Sequence, residues 1–160
     1  MSTIAETLQE IEIVEYDPKF GYELVRMWRD SFERAVGVID SHPLEKQLRY
    51  LEKKVIAENE VRVVLEKRSS EVIAFMASTQ DRIAQLYVHA DYQKRGIGTM
   101  LLDIAKRNSS GRLSLFTFKV NENAQRFYER NGFEVRRFGF EEEWQLEDVE
   151  YEWSGPRFES

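Results

Sequence analysis

Ile11-Glu12-Ile13-Val14-Glu15 alternates apolar and polar side chains until Tyr16-Asp17-Pro18 interrupts it, so an opening strand is expected. Leu24, Trp28, Phe32 and Ala35 then recur every three or four positions, an apolar stripe that predicts a helix ending near Gly37. A second helix is expected after Ser41-His42-Pro43, with Ser41 as its cap, Pro43 at its first helical position and Leu44, Leu48, Leu51 and Val55 as its stripe. Three strand-like runs follow, Val61 to Lys67, Val72 to Thr79 and Arg82 to Val88, separated by breaks short enough for antiparallel hairpins. Ile97, Leu101, Ile104 and Ala105 mark the next helix, and Leu113 to Phe118 reads as a buried strand. Ala124, Phe127 and Tyr128 share one face of a short helix that Asn131-Gly132 ends as a left-handed cap. Phe133 to Phe138 and Asp148 to Trp153 complete the order βααβββαβαββ. A mixed, mostly antiparallel central sheet with helices on both faces, in the α/β (α+β) class, is the economical way to bury that order.

Composition narrows the chemistry. The 160 residues contain no Cys and two His, which removes disulfides, thiolate metal sites and a cysteine nucleophile and leaves no metal-hydrolase motif, so no metal is expected. Neither repeats nor linkers divide the chain, and one domain over residues 1–160 is expected. A net charge of −6 argues against a nucleic-acid partner, and no apolar run approaches the length of a membrane span. Without a leader-like N-terminus, a cytoplasmic location is the expectation.

The informative stretch runs from Leu86-Tyr87-Val88 through Gln93-Lys94-Arg95-Gly96-Ile97-Gly98-Thr99, where a strand enters a loop whose two glycines stand at a helix start. Several backbone N–H groups can converge there without Cβ obstruction, and Lys94 and Arg95 add positive charge, which makes an anion cradle suited to a diphosphate. A Walker loop fails because Gly98 precedes Thr99-Met100 rather than Lys-Ser/Thr. A dinucleotide fingerprint is poor because Leu101 occupies the third small position.

Gln93-Lys94-Arg95-Gly96-Ile97-Gly98 resembles the Q/R-x-x-G-x-G/A motif of the GNAT superfamily of N-acetyltransferases, and Asn121-Glu122-Asn123-Ala124 with Phe127-Tyr128-Glu129-Arg130-Asn131-Gly132-Phe133 resembles that family's downstream segment. The likeness is sharp over about a third of the chain. It implies acetyl-CoA as cosubstrate, with Lys94 to Thr99 on the pyrophosphate, the main chain of Leu86, Tyr87 and Val88 along the pantetheine arm, and Asn121 hydrogen-bonded to that arm. It implies that the Leu113 to Phe118 strand splays from its neighbour to make room, with the Val88 N–H polarising the thioester carbonyl. Tyr128 becomes the general acid for the departing thiolate. The acceptor implied is a primary amine of a small molecule or peptide, attacking directly.

Two departures from the family pattern matter. His89-Ala90 stands where many members have Asp-Pro, and Phe116 stands where some peptide-acetylating members carry a Glu. The general base is therefore unassigned, with Glu33, His42 and a water chain all open. The rival function is an acyl-CoA-binding sensor that has lost turnover; a nucleotide-phosphate enzyme is a third reading. Locally, Gly96 and Gly98 can serve a tight turn, Asn121 a helix cap and Tyr128 the core. Trp28 and Trp153 lie on apolar stripes and are expected in the core, whereas Trp144, beside Glu141-Glu142-Glu143, is a candidate wall of an acceptor pocket. Edge strands near the C-terminus leave a homodimer open.

Overall fold

The computed structural model describes residues 3–155; residues 1–2 and 156–160, the ends of the unit expected over 1–160, lie outside the described residues. The chain begins with a helix that the apolar pattern did not predict, α1 (Ile4–Gln9), started by Thr3, whose Oγ1 accepts the Glu6 amide at 3.1 Å. Thr3 and Glu6 stand at capping-box spacing, a short-range signal that a search for long apolar stripes passes over. From there the order is β1 (Ile11–Glu15), α2 (Gly21–Val36), α3 (Leu44–Tyr50), a π-helical turn (Leu51–Val55), α4 (Ile56–Glu58), β2 (Glu60–Glu66), β3 (Val72–Ser78) and β4 (Ile83–Val88). The second half comprises α5 (Ile97–Arg107), β5 (Arg112–Phe118), α6 (Glu122–Arg130), β6 (Glu134–Glu141) and β7 (Leu146–Ser154).

The helix boundaries follow local chemistry. Gly37 closes α2 at φ 80°, its amide donating to the Glu33 carbonyl at 2.9 Å, a left-handed position that costs glycine little. The expectation for α3 needs correction: Pro43 is the cap residue rather than the first helical residue, and Ser41 makes no cap bond because it lies too far upstream to reach the first free amides. Arg29 instead secures this connection, its Nη1 donating to the His42 carbonyl at 2.6 Å and its Nε to Gln47 Oε1 at 3.0 Å.

The expected single sheet is two antiparallel sheets, β1-β2-β3-β4 and β5-β7-β6, joined by one parallel bridge between Arg82 and Ser114. In the first sheet every residue of β3 is buried. Phe75 and Ala77 pack with Leu24, Trp28 and Leu51 beneath α2 and α3, while Ile73 and Met76 pack on the other face with Leu101 and Leu102 of α5. Trp28 and Trp153 are core residues, as their stripes predict. Each large side chain buried this way contributes roughly 1.5–3 kcal/mol. Phe116 corrects the reading of β5 as a buried strand: Leu113 and Leu115 face the core, and Phe116 turns to solvent.

Candidate functional site

The seam between the two sheets makes the site. The His89 N–H donates to the Ile73 carbonyl at 2.7 Å, and the register pairs Tyr87 with Phe75 and Val88 with Ala74. Main-chain groups alternate sides along an antiparallel strand, so Gln85 and Tyr87 turn theirs toward β3, and Leu86 and Val88 turn theirs toward β5. β5 meets β4 near the Arg82 and Ser114 bridge, where the Ser114 amide donates to the Asp81 carbonyl at 2.9 Å. Beyond that point β4 and β5 belong to different sheets, which leaves the β4 edge open to a cavity of about 520 Å³.

The loop after β4 supplies the closed end. Lys94 and Gly96 both adopt left-handed backbone, at φ 62° and 90°, and α5 begins at Gly96 without a side-chain cap. The first helical bond is the Met100 amide to the Gly96 carbonyl at 3.0 Å, so the amides of Ile97, Gly98 and Thr99 have no partner within the helix. A non-glycine residue held left-handed at Lys94, beside uncapped amides at a positive helix end, is the geometry of an anion nest. Gly98 is required by contact: a Cβ there would lie 2.8 Å from Phe127 Cζ on α6.

Of the residues that sequence reasoning singled out, Leu86, Tyr87, Val88, Gln93, Lys94, Gly96, Gly98, Thr99, Asn121 and Tyr128 all line this cavity. Ile97 is buried beneath it, and Arg95 lies across the Tyr92 ring, 5.2 Å from its centroid, outside the lining. Gln93 turns back, its Nε2 donating to the Val88 carbonyl at 2.9 Å. Ser31 of α2 approaches the same carbonyl at 3.4 Å, a contact across 57 positions that no local pattern encodes. Asn121 caps α6, its Oδ1 accepting the Ala124 amide at 3.2 Å, and also faces the cavity. Charge in the lining is one-sided. Arg34, Lys94, Arg126 and Arg130 border the cavity, and among the described residues no Asp or Glu does, although the chain as a whole is acidic. Arg126 and Arg130 stand one helical turn apart on α6, a spacing visible in the sequence that charge counting alone overlooked.

Tyr128 packs against Phe127, Phe133 and Tyr151 and reaches the cavity wall. Burial, followed by the nearby Tyr87, pushes its phenol above the ordinary tyrosine value, so the hydroxyl keeps its proton. Tyr87 is raised to about 12 chiefly by burial of its hydroxyl end. Neither Glu33 nor His42 borders the cavity. Glu33 accepts the Asp40 amide at 2.7 Å and His42 Nδ1 lies 2.7 Å from Asp40 Oδ1, so both brace the α2–α3 connection. Trp144, expected as a wall of an acceptor pocket, does not border this cavity; its ring packs 5.2 Å from Phe32, which meets Phe118 at the end of β5. Among the described residues no group of three or more His, Cys, Asp or Glu side chains could hold a metal ion, and no helix is long and apolar enough to cross a membrane.

Comparisons with known proteins agree with this architecture. The apo-form of YjaB from Escherichia coli superposes with a TM-score of 0.73 at 20% identity, covering 91% of this chain and 99% of its own. The PaiA N-acetyltransferase of Thermoplasma acidophilum, solved with coenzyme A, gives 0.68 at 20% identity over 90% and 98%. YncA, a putative acetyltransferase of Salmonella typhimurium solved with acetyl-CoA, gives 0.65 at 15% identity over 94% and 95%. No curated protein sequence matches. A family model described as the acetyltransferase (GNAT) domain matches residues 52–135, just over half of the chain and the part that contains the open strand edge, the amide nest and all of α6. The protein belongs to the GNAT acetyltransferase family.

Proposed function

We propose that the chain, as one catalytic unit over residues 1–160, transfers the acetyl group of acetyl-CoA to a primary amine of a small molecule or peptide. One observation carries the reading: a strand edge open to solvent and an uncapped amide nest share a cavity whose charged side chains, among the described residues, are all basic. That combination fits a ligand that is polyanionic at one end and amide-bearing along its length. A diphosphate is held by the nest and by Lys94, and an extended amide chain pairs with the Leu86 and Val88 main chain as an added strand would. Family membership and relatives solved with coenzyme A or acetyl-CoA support the choice of ligand.

Acetyl-CoA supplies a thioester, an acetyl group already activated toward amines. The protein supplies position, polarisation and one proton. Ser31 and Gln93 hold the Val88 carbonyl, which orients the Val88–His89 peptide; the Val88 N–H, in the preceding peptide and on the same side of the strand, is the donor that polarises an acyl oxygen. Tyr128 carries the proton needed by a departing thiolate; its raised pKa keeps the acid form populated at neutral pH, and a desolvated thiolate is basic enough to accept from it. With no carboxylate in the lining, the proton of an attacking ammonium leaves through solvent or before binding. The same absence favours the rival reading, an acyl-CoA sensor without turnover.

Calorimetry and coenzyme A release against a panel of amines separate the two. Binding of acetyl-CoA with amine-dependent release is expected. Binding without release establishes the sensor, and preferential stabilisation by ATP or NAD over acetyl-CoA overturns both.

A further inference from the structure

The amide nest after β4 is strained and short of internal bonds. Lys94 holds a left-handed backbone without being glycine, a conformation that persists only where neighbouring structure enforces it. The amides from Gly96 to Thr99 donate to no protein group among the described residues. The loop is therefore held by other contacts, and two elements outside the cavity lining supply them. One is the end of β2. Glu66 accepts the Tyr92 hydroxyl, and the Arg95 guanidinium lies over the Tyr92 ring. The next residue, Lys67, fastens α1: its amide donates to the Glu10 carbonyl at 2.9 Å and its Nζ to the Gln9 carbonyl at 2.8 Å. The other element is α1 itself. Thr7 is buried, and Ile4 rests so closely on the loop that a Cβ at Gly96 would lie 2.7 Å from Ile4 Cγ2. Gly96 thus answers two demands, a backbone turn at φ 90° and a bare α-carbon on which the isoleucine methyl can sit. A helix of six residues has too few internal bonds to stand alone, so the position of α1 depends on these contacts. Together they close a circuit that runs from Ile4 to Gly96, from Arg95 through Tyr92 to Glu66, and from Lys67 back to α1.

We propose that α1 is the outer brace of the phosphate loop and that Ile4 is a positioning residue, holding the backbone at Gly96 in the shape that receives a diphosphate. The inference rests on the reading of the nest as the diphosphate site. Ile4 touches no ligand and acts through Gly96. A loop already held in its bound shape gives up less conformational freedom when the anion arrives, so the brace raises affinity without adding a contact. Such coupling is reciprocal: an anion in the nest seats α1 more firmly in return. A role confined to stability predicts something else. Ile4 is 56% exposed, and its truncation would then change almost nothing.

Ile4→Ala leaves a good helix former in α1, so the helix is kept and the contact is lost. Calorimetry is expected to show acetyl-CoA binding weakened about fivefold, with KM for acetyl-CoA rising to match while kcat and the melting temperature hold. Ile4→Val retains Cγ2, the methyl over Gly96, and is expected to bind as the parent chain does. Lys67→Met loses the Nζ bond to Gln9 and is expected to weaken binding in the same direction by less. Two NMR measurements read the brace without turnover. In the ligand-free chain, order parameters of the 94–99 amides are expected to fall in Ile4→Ala. Inorganic pyrophosphate, and separately acetyl-CoA, is expected to slow hydrogen exchange at the Thr7 and Glu10 amides, which are bonded within α1 and its cap. Equal acetyl-CoA affinity in the parent and Ile4→Ala chains overturns the brace and leaves acetyl transfer standing, as does an unchanged loop order parameter. Pyrophosphate that protects α1 in a chain that fails to bind acetyl-CoA keeps the brace and removes the proposed cosubstrate. A nest that binds neither overturns both.

Discussion

The two sheets obey the same period-two rule and end in opposite conditions. β3 is buried along its whole length because α2 and α3 cover one face and α5 the other; β6, of similar length, has seven of its eight residues exposed. The first sheet is thus a rigid platform, and the second is supported through β5 and β7 with its outer strand open. The proposed site lies at neither centre. It lies where the two sheets face each other and part, and where, among the described residues, the β4 edge opens into a walled cavity instead of bulk water.

Substitutions at equivalent places in the two sheets should expose this asymmetry. The largest effect is expected from Phe75→Ala, which empties a fully buried site between Trp28 and Tyr87 and should cost about 3–5 kcal/mol in urea denaturation. At the seam, Tyr128→Phe is expected to lower kcat by ~10²-fold while the calorimetric affinity for acetyl-CoA holds within about twofold. An unchanged kcat for the true acceptor would remove Tyr128 from the reaction. Alkaline titration tests the platform's packing. Tyr87 in the unfolded chain loses its proton near pH ~10, whereas the folded chain holds it to about 12, so folding stability is intact below the first value and falls through the second. Tyr87→Phe should abolish a loss on the order of 2 kcal/mol across that window. Gly98→Ala drives a methyl into the Phe127 ring, and about tenfold weaker acetyl-CoA binding is expected in calorimetry with a near-normal melting temperature. Phe116→Ala, mid-strand in β5 and half exposed, should cost less than about 0.5 kcal/mol; a cost near that of Phe75→Ala would erase the contrast.

Legibility in the sequence followed the range of the interaction. The strand runs around Val63 and Ala74, the stripe of α5, the helix end near Gly37 and the left-handed cap at Gly132 are set by neighbours a few positions away, and the pattern predicts them. The loop from Gln93 to Thr99 was readable for the same reason, since its glycines and charges are contiguous. The parting of β4 and β5 came only through the family resemblance, which implies that Leu113 to Phe118 splays from its neighbour; no residue of either strand announces it in the apolar pattern, which suggested one sheet. Ser31 and Arg34 reach the cavity from α2 by tertiary packing, and Phe116 looks like any core phenylalanine until Glu150 is found opposite it. Thr3 and Glu6 were legible in principle and too short a signal to stand out beside a long stripe.

The bridge between Arg82 and Ser114 acts as the pivot of a pair of scissors. It is fastened by the Ser114 amide on the Asp81 carbonyl, the Ser110 amide on the Gln80 carbonyl at 3.0 Å, and Ser110 Oγ 2.8 Å from Asp81 Oδ1. The blades extend about six residues, or roughly 20 Å. A rotation of a few degrees at this fastening would therefore change the gape at Val88 and Phe118 by an ångström or more, giving a surface serine leverage over the width of a gap that opens roughly 20 Å away.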